Sequence, residues 1–322
     1  MTLRVLVTRR WPEPAEAFLR DRHDVTFNTE DTPLDAQRLA AALHDYDAIL
    51  PTVTDRIDAA LLAGGPFRTR LICNFGAGVD HIDLARCREL GITVTNTPDA
   101  VTEATADIAI LLMLSATRRS GEAERMVRAG RWDGWSPTSH LGLDLRGRTL
   151  GLVGFGRIAQ AVAQKAKAAF GMAIAYHSRN RQPRAVEAAF GAVHHPDLDG
   201  LIAASDILSL HCPGGPDTEG LINRERLARM KPSAVLINTA RGSVVDDDAL
   251  IDALKRGVIA AAGLDVYRGE PSLHPGYLDL ENAVLLPHLG SATIDTRTAM
   301  GMRAAANLDQ WAAGEVPRDR IS

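Results

Sequence analysis

Three side chains with complementary chemistry stand out in the second half of this sequence. Arg241 lies in INTARGSVVD, Glu270 in LDVYRGEP and His288 in LLPHLGSAT, and the arginine and the histidine each follow an apolar run typical of a strand. Reduction of a 2-oxo acid needs a cation for the carboxylate, a proton donor for the carbonyl oxygen and a hydride. The three residue types therefore predict acid–base chemistry on a small anionic substrate.

Each of the three residues has a definite role in such a reaction. Arg241 can bind a carboxylate through paired N–H donors and polarise the neighbouring carbonyl. His288 can donate the proton because imidazole titrates near neutral pH. Glu270 can accept a hydrogen bond from the other ring nitrogen, which fixes the tautomer and supports the acid form. Taken singly, they also fit a strand-end cap, a surface carboxylate before Pro271 and a core histidine, but their joint occurrence favours catalysis.

The elements that must position these residues alternate between short apolar strands and helix-forming stretches. This alternation predicts parallel α/β sheets, in which ligands bind beyond the carboxyl ends of the strands. A boundary is expected at Asn96–Asp99, where Pro98 ends a strand. The predicted strands are residues 3–7, 24–27, 48–50, 70–73, 93–95, 149–153, 173–176, 207–210, 234–238, 261–264 and 284–286. The predicted helices are residues 15–20, 36–43, 56–62, 102–119, 157–170 and 295–313, with a loop over 128–145.

The segment GLVGFGRIAQ has the order strand, glycine turn and helix that holds a dinucleotide pyrophosphate. Gly154 permits the tight turn, Gly156 lets the backbone approach the phosphates, and Ala159 lets the helix pack closely on the strand. The helix N-terminus adds N–H donors and partial positive charge. The same residues also fit a turn that only packs a helix, and a methyltransferase uses a similar turn, so the pattern depends on its context.

The position that selects between NAD and NADP lacks an acidic residue. An Asp or Glu about 20 residues after the glycines would bind the ribose 2′-hydroxyl of NAD, but His177 stands there. Ser178, Arg179 and Arg181 follow, and guanidinium groups pair with phosphate. The sequence therefore predicts a preference for NADP(H), with NAD(H) also accepted and Arg179 as the main determinant. A solvated basic loop is the alternative.

Composition excludes several classes of protein. The 322 residues carry a net charge of −4 without a basic block, which argues against nucleic acid as a partner. The longest apolar run is far shorter than a membrane span, and the N-terminal segment has no signal-peptide pattern. The three cysteines are widely spaced and no Cys/His spacing predicts a metal site. We expect a cytoplasmic α/β protein with no metal and no membrane partner.

Seven segments resemble the D-isomer-specific 2-hydroxyacid dehydrogenase family, spanning about residues 70–295. The resemblance is carried by NFGAGVDHID, TEATADIAI, GLVGFGRIAQ, HCPGGPDTEGLI, MKPSAVLINTARGSVVDDDAL, AAGLDVYRGEP and LLPHLGSAT. It implies catalytic roles for Arg241, Glu270 and His288, and substrate binding by Ala77, Gly78, Val79, Arg241 and His288. Binding of the cofactor is implied for Thr105, Gly154, Phe155, Gly156, Arg157, Ile158, His177, Ser178, Arg179, Arg181, Cys212, Pro213, Thr218, Thr239, Ala240, Arg241, Asp265, His288 and Gly290.

The resemblance also implies an architecture and a substrate class. Two Rossmann-like α/β domains with parallel sheets are expected, with a cofactor domain (99–290) inserted into a flavodoxin-like substrate-binding domain (1–98 and 291–322). The basic loop and the GAGVDHID segment are most similar to glyoxylate/hydroxypyruvate reductases, which implies a small 2-oxo or 2-hydroxy acid substrate. A homodimer is implied, with Trp132 and Trp135 at its interface. Two alternatives stay open: a dehydrogenase for a bulkier 2-oxo acid, and a dinucleotide-sensing interaction protein of the corepressor type.

Overall fold

The computed structural model describes residues 1–322, which form two compact units. The first unit comprises Met1–Val101 and Ser291–Ser322, and the second comprises Thr102–Gly290. The strands are β1 (Arg4–Val7), β2 (Asp24–Phe27), β3 (Ala48–Leu50), β4 (Leu71–Cys73), β5 (Thr93–Thr95), β6 (Thr149–Val153), β7 (Ala173–His177), β8 (Ala192–His194), β9 (Ile207–Leu210), β10 (Val235–Asn238), β11 (Ala261–Leu264) and β12 (Ala283–Leu285). The α-helices are α1 (Glu13–Arg20), α2 (Ala36–Asp45), α3 (Leu84–Glu89), α4 (Thr102–Thr117), α5 (Ser120–Arg128), α6 (Arg157–Phe170), α7 (Arg184–Phe190), α8 (Leu198–Ala204), α9 (Arg224–Leu227), α10 (Asp247–Lys255) and α11 (Ile294–Ala312).

The first unit is built on a five-stranded parallel sheet with the order β2-β1-β3-β4-β5. This is the flavodoxin-like strand order. Helices α1 and α11 pack on one face of the sheet, and α2 and α3 cover the other. Helix α11 approaches α1 closely because residue 301 is glycine: a Cβ there would lie 2.6 Å from the Cβ of Ala15. The C-terminal helix thus completes the core of the N-terminal sheet.

The second unit contains a seven-stranded parallel sheet with the order β12-β11-β10-β9-β6-β7-β8. Helices α4 and α6 pack on one face, and α8 and α10 pack on the other. The strand order reverses between β6 and β9, which makes a topological switch point. Because all strands are parallel, the residues that follow them lie along one edge of the sheet. That edge carries the glycine turn, Arg241, Asp265 and His288.

The parallel α/β architecture is confirmed, with some differences in detail. The helix over 56–62 is wrong, because Ile57 forms a bridge with Ile82 and only Leu61–Gly64 coils, as a 3-10 turn. Strand β8 was not expected, since it is short and the side chain of Val193 is exposed. The long helix over 102–119 ends at Thr117, and α5 follows it after a left-handed Arg119. At residues 56–62, pairing with a distant part of the chain overrides local helix propensity.

Two further properties concern the membrane and the thiols. No helix of this chain combines the length and the apolar character needed to cross a bilayer. Its three cysteines form no disulfide, and Cys73 and Cys87 are buried. Burial raises the pKa of Cys73 to about 12, and it raises the pKa of Cys87 and of Cys212 to about 11.

Candidate active site

The glycine turn joins β6 to α6 at the switch point of the seven-stranded sheet. Gly154 has φ +88° and donates its N–H to His177 O at 2.8 Å, and a Cβ on it would lie 2.8 Å from His211 O. Only glycine fits there. Gly156 is the N-cap of α6, no side chain caps this end, and a Cβ at Gly156 would meet nothing within 4 Å. The turn therefore offers an open, uncapped helix N-terminus, which suits an anion such as a pyrophosphate.

The residues next to the two glycines differ in how they can take part. The side chain of Phe155 is buried and its ring stacks on Tyr176 with centroids 4.4 Å apart, so only its backbone faces the turn. Ala159 is fully buried at the contact of α6 with the sheet. Arg157 is exposed and Ile158 is partly exposed in the first turn of α6. Phe155 can therefore face a ligand at this turn only through its backbone, and the cofactor contacts of Phe155 and Ile158 stay predictions.

The loop after β7 holds the predicted determinants of cofactor choice. Arg179 is 81% exposed and its guanidinium lies 3.6 Å from the Asp217 carboxylate, which is also exposed. Ser178 Oγ donates to Asn180 O at 2.7 Å, and His177 Nδ1 lies 3.1 Å from His195 O. No carboxylate follows directly on β7. The loop therefore presents the exposed guanidinium of Arg179 where an NAD-specific site would present a carboxylate.

Arg181 is engaged more firmly than the sequence suggested. Its Nε and Nη2 donate to the two carboxylate oxygens of Glu187 at 2.8 and 2.9 Å. Tyr176 Oη donates to the same carboxylate at 2.8 Å and accepts from the N–H of Gln182 at 3.0 Å. Glu187, in α7, was not expected as part of this loop because nothing in its sequence position marks it. The arrangement holds Arg181 as a brace of the loop and leaves Arg179 as the more accessible cation.

The segment after β9 carries the predicted residues Cys212, Pro213 and Thr218. Thr218 Oγ1 donates to Pro213 O at 2.7 Å, which closes the loop around the 3-10 turn Pro216–Thr218. His211 precedes them, and its Nε2 lies 2.8 Å from Ser209 Oγ. Desolvation lowers the pKa of His211 to about 4, so this ring is neutral at physiological pH. These residues form an ordered wall beside the glycine turn, since Gly154 packs against His211.

Arg241 is placed by a tight turn after β10. The side chain of Asn238 donates to Arg241 O at 2.9 Å and accepts from the N–H of Ala240 at 3.0 Å. A Cβ on Gly242 would overlap the backbone of Tyr267, so this glycine allows the turn to pack beside the segment after β11. Thr239 is buried and its Oγ1 has no hydrogen-bond partner within the chain. A buried orphan hydroxyl is costly unless a ligand satisfies it, which fits a cofactor contact at this position.

Asp265 organises the backbone that carries His288. Its main-chain oxygen accepts from the N–H of His288 at 2.9 Å, and its carboxylate accepts from the N–H groups of Leu289 and Gly290 at 2.6 and 2.8 Å. Thr105 Oγ1 donates to Gly290 O at 3.0 Å. Burial raises the pKa of Asp265 in spite of these two donors. The predicted residues Thr105, Asp265 and Gly290 thus form one hydrogen-bonded group.

The structure brings the three predicted catalytic side chains together. His288 Nδ1 lies 2.7 Å from Glu270 Oε2, and both side chains are about one-third exposed. Burial opposes the charged form of Glu270, but the hydrogen bond and charge of His288, the N–H of Tyr267 and the charge of Arg241 together lower its pKa. Arg241 Nη1 also donates to Ala240 O at 2.7 Å. Since Nδ1 faces the carboxylate, Nε2 is the ring atom that can serve a substrate.

His288 adopts a backbone conformation that is uncommon for a residue other than glycine. Its φ is +55°, in the left-handed region that favours glycine. The hydrogen bonds from residues 288–290 to Asp265 hold this conformation in place. Strained backbone of this kind is concentrated at functional sites.

The predicted substrate loop belongs to the first unit and follows β4. The carbonyl groups of Gly76, Ala77 and Gly78 all accept hydrogen bonds from residues of the unit's interior. The N–H groups of Ala77, Gly78 and Val79 donate to no group of the chain. Three consecutive peptide donors without partners are suited to an anion.

The structure shows no group of metal ligands. No cluster of three or more His, Cys, Asp or Glu side chains could hold a metal ion.

These features fit a nicotinamide dinucleotide on the second unit. The uncapped α6 with open space at Gly156 suits a pyrophosphate, and the orphan hydroxyl of Thr239 suits a polar contact of the cofactor. Arg179 offers a cation at the end of β7. The His288–Glu270 pair and Arg241 lie at the same edge of the sheet. The arrangement can therefore serve hydride transfer coupled to proton transfer.

Comparison with known proteins agrees with this geometry. A family model described as D-isomer specific 2-hydroxyacid dehydrogenase, NAD binding domain, matches residues 110–290. The chain is 44% identical to a glyoxylate reductase of Thermococcus onnurineus, over 98% of this chain and 95% of that protein. An NADPH-dependent glyoxylate/hydroxypyruvate reductase of Sinorhizobium meliloti, solved in complex with NADP and malonate, is 36% identical with a TM-score of 0.88, over 100% of this chain and 97% of that chain.

A third similar structure is that of a D-mandelate dehydrogenase. The holo form of D-mandelate dehydrogenase from Rhodotorula graminis is 28% identical with a TM-score of 0.88, over 100% of this chain and 98% of that chain. The chain is more than 40% identical to a relative over its full length, and the family model matches most of the second unit. These two findings assign the family. The chain belongs to the D-isomer specific 2-hydroxyacid dehydrogenase family and is an NAD(P)-dependent oxidoreductase.

Proposed function

We propose that this chain reduces glyoxylate to glycolate and hydroxypyruvate to D-glycerate, with NADPH as the preferred cofactor. The observation that carries the proposal is the His288–Glu270 hydrogen bond of 2.7 Å with the charge of Arg241 beside it. The names of the relatives from Thermococcus onnurineus and Sinorhizobium meliloti support the substrate class.

The proposed chemistry assigns one task to each residue. NADPH, when bound, supplies the hydride that reaches the carbonyl carbon of the 2-oxo acid. His288 donates the proton from Nε2 to the carbonyl oxygen, and Glu270 holds the ring through Nδ1 and stabilises its positive charge. Arg241 pairs with the substrate and polarises its carbonyl group. The peptide donors of residues 77–79 bind the substrate carboxylate.

The proposed preference for NADPH rests on Arg179. Its exposed guanidinium has a single ion-pair partner, Asp217, and that carboxylate is 84% exposed. Exposed ion pairs contribute little, so a phosphate that binds two or three N–H donors would displace Asp217. His177 replaces the acid that would repel a 2′-phosphate. Arg181 contributes through the shape of the loop, because its Nε and Nη2 are held by Glu187.

The decisive assay follows absorbance at the NADPH band with a panel of 2-oxo acids. We expect the highest kcat/KM with glyoxylate or hydroxypyruvate and NADPH, lower values with NADH, and little turnover with pyruvate. The His288→Asn variant tests the acid role. Asparagine is chosen because it accommodates the left-handed backbone better than most other non-glycine residues. The variant should bind NADPH normally and turn over at least about 1,000-fold more slowly. Equal turnover by wild type and variant would remove His288 from the acid role.

The same panel separates the alternative substrates. The likeness to a D-mandelate dehydrogenase favours, as a second candidate, a 2-oxo acid with an aromatic side chain. Phenylglyoxylate, the oxidised form of mandelate, therefore belongs in the panel. A kcat/KM for phenylglyoxylate above that for glyoxylate would replace the proposed substrate class. Absence of turnover with every acid and both cofactors would favour a dinucleotide sensor.

We also propose a cytoplasmic homodimer. Five exposed apolar side chains occur in one stretch of the second unit, and soluble monomers rarely expose such a group: Leu111, Val127, Trp132, Trp135 and Leu141. A second copy of the chain would cover them. Light scattering after gel filtration should give twice the 34.6 kDa chain mass, and the Trp132→Ser, Trp135→Ser double variant should shift toward the monomer. A monomeric wild type would contradict this proposal.

The proposed cytoplasmic location rests on the cysteines. All three are free thiols, which suits the reducing cytoplasm.

A further inference from the structure

The loop after β4 has its carbonyl groups fixed from one side. Gly76 O accepts from Asn74 Nδ2 at 3.0 Å and from the N–H of Thr97 at 3.0 Å. Gly78 O accepts from the same Asn74 amide at 2.9 Å. Ala77 O accepts from Asn96 Nδ2 at 2.8 Å. Three successive peptide oxygens are therefore drawn toward the interior of the first unit.

The direction of these carbonyl groups also fixes the direction of the N–H groups that follow them. In a trans peptide the C=O of one residue and the N–H of the next are rigidly coplanar and point in opposite directions. With the oxygens of Gly76, Ala77 and Gly78 turned inward, the N–H groups of residues 77, 78 and 79 are turned away from the interior. None of these N–H groups donates within the chain. The inward bonds thus create the outward-facing set of anion donors.

Asn74 is the residue that donates to two of these three carbonyl oxygens. It is fully buried, and its Oδ1 lies 3.0 Å from His81 Nε2. Because two carbonyl oxygens surround Nδ2, the amide can have only this orientation, and His81 must donate from Nε2. Gly76 permits the close approach, since a Cβ there would lie 3.2 Å from Asn74 Nδ2. In the sequence this asparagine is marked only as the first residue of NFGAGVDHID.

We propose that Asn74 is a positioning residue for the substrate carboxylate, and that His81 fixes the orientation of its amide. The proposal rests on the proposed binding of a 2-oxo acid by the N–H groups of residues 77–79. Asn74 does not touch the substrate. It acts by holding the carbonyl groups of Gly76 and Gly78 so that the following N–H groups are available before the substrate arrives. Donors that are oriented in advance bind an anion without a reorganisation cost.

The variant that tests this is Asn74→Asp. It keeps the shape of the side chain but replaces both N–H donors by an oxygen that faces two carbonyl oxygens, so the peptides must turn. We expect the KM for glyoxylate to rise at least about 10-fold, as for loss of charge-assisted hydrogen bonds. The KM for NADPH should stay within about two-fold, because that site is assigned to the second unit. A variant that only loosened the fold would lower the active fraction and leave KM unchanged.

The chain offers a matched control in Asn28. It lies in the same unit, and its Nδ2 donates to two main-chain oxygens, Thr8 O at 2.8 Å and Thr32 O at 2.7 Å. Asn28→Asp therefore removes the same kind of bonds at a loop outside the proposed subsite. It should lower thermal stability less than Asn74→Asp does, because Asn28 is only partly buried, and it should leave the KM for glyoxylate unchanged. Equal rises in KM in both aspartate variants would overturn the proposal.

His81 provides a second arm with rescue by a conservative change. His81→Leu removes the donor to Asn74 Oδ1 and should raise the KM for glyoxylate about 5-fold or more. His81→Gln keeps a nitrogen donor on a side chain of similar reach and should restore most of the wild-type KM. The same KM in the leucine and glutamine variants as in wild type would exclude a role for His81.

A binding measurement keeps this inference separate from the reaction itself. Oxalate carries a carboxylate like that of glyoxylate and cannot be reduced by this chemistry, so titration calorimetry of oxalate into the NADP-saturated protein reports binding without the reaction. Wild type should bind oxalate at least about 10-fold more tightly than Asn74→Asp. Equal affinities, or no binding by wild type, would overturn the proposal. Oxalate binding without turnover of glyoxylate would instead count against the proposed reaction.

Discussion

The carboxylate of Glu270 is shared between His288 and the backbone of its own turn. Oε2 lies 2.7 Å from His288 Nδ1, and Oε1 accepts from the N–H of Tyr267 at 2.8 Å. With both oxygens engaged, the carboxylate cannot rotate without losing a bond. The imidazole therefore meets a fixed negative charge on Nδ1, which fixes Nε2 as the proton donor.

Replacing Glu270 by Gln tests this relationship through turnover. Glutamine keeps the shape but removes the negative charge beside Nδ1 that holds the ring and stabilises its charged form. We expect kcat for glyoxylate reduction to fall about 10- to 100-fold. The KM for NADPH should stay close to that of wild type. A wild-type kcat in Glu270→Gln would show that Glu270 does not support the acid.

Arg179 is expected to control the choice of cofactor. Arg179→Ala should lower kcat/KM for NADPH by about 10- to 100-fold, because it removes charge-assisted bonds to the 2′-phosphate. The value for NADH should change less than about two-fold, since that cofactor has no phosphate there. Asp217→Ala is the matched control: it frees Arg179 from its ion pair and should leave NADPH kinetics equal or improved. Parallel losses with NADPH and NADH would contradict the assignment.

The two glycines of the turn after β6 should respond differently to alanine. Gly154→Ala combines a φ of +88° with a Cβ 2.8 Å from His211 O, so it should lower the melting temperature. Gly156→Ala has an ordinary φ of −78° and open space around the new Cβ, so the fold should be as stable as wild type. The methyl group would still obstruct the phosphates, and the KM for NADPH should rise about 10-fold or more. Normal NADPH binding by Gly156→Ala would argue against a pyrophosphate at this turn.

Arg241 should be sensitive even to lysine. Lysine keeps the positive charge but loses the planar pair of donors, so kcat/KM for glyoxylate should fall about 10- to 100-fold in Arg241→Lys. The turn itself should persist because Asn238 holds the backbone of residue 241. The KM for NADPH and the melting temperature serve as the two internal controls. Wild-type kinetics with lysine would mean that Arg241 acts only as a charge.

The Glu187–Arg181 pair predicts a change of stability in acid. The hydrogen bonds from Arg181 and Tyr176 lower the pKa of Glu187 to about 2, whereas an unfolded glutamate titrates near about 4.3. A lowered folded pKa stabilises the protein above the unfolded value, and this contribution disappears as pH falls from about 4.3 toward 2. Wild type should therefore melt higher than Glu187→Gln at pH 7, and the difference should shrink at pH 3. A difference independent of pH would show that the charge is not responsible.

Most of the fold follows from local pattern. Continuous apolar runs predict strands such as β9, and the small-residue turn correctly begins α6 at Arg157. The segment at Ile57 was misjudged because its partner, Ile82, is distant in sequence and only the folded chain pairs them. The three-residue β8 has an exposed Val193 and gives no apolar run. Local sequence thus defines elements with a buried face, and tertiary pairing decides the marginal ones.

The candidate site was predictable where a residue carries its own chemistry. Arg241, Glu270 and His288 could be selected because their side chains are reactive and two of them follow strands. Asn74 and Glu187 could not, because they act through hydrogen bonds to loop atoms and to Arg181 that only three-dimensional packing creates. The ring of Phe155 lies in the core, so its predicted contact with a cofactor involves its backbone alone. Residues that support a site leave little trace in a single sequence.

The buried thiols make this protein a convenient host for chemical labelling. Cys73 and Cys87 are buried and Cys212 is partly buried. Burial keeps the pKa of Cys73 at about 12 and that of Cys87 and Cys212 at about 11, so all three remain uncharged at neutral pH and react slowly with maleimides. A single cysteine introduced at an exposed position would then carry essentially all of an attached fluorophore or spin probe. The label could then report ligand binding spectroscopically in the otherwise native chain, without prior removal of its own cysteines.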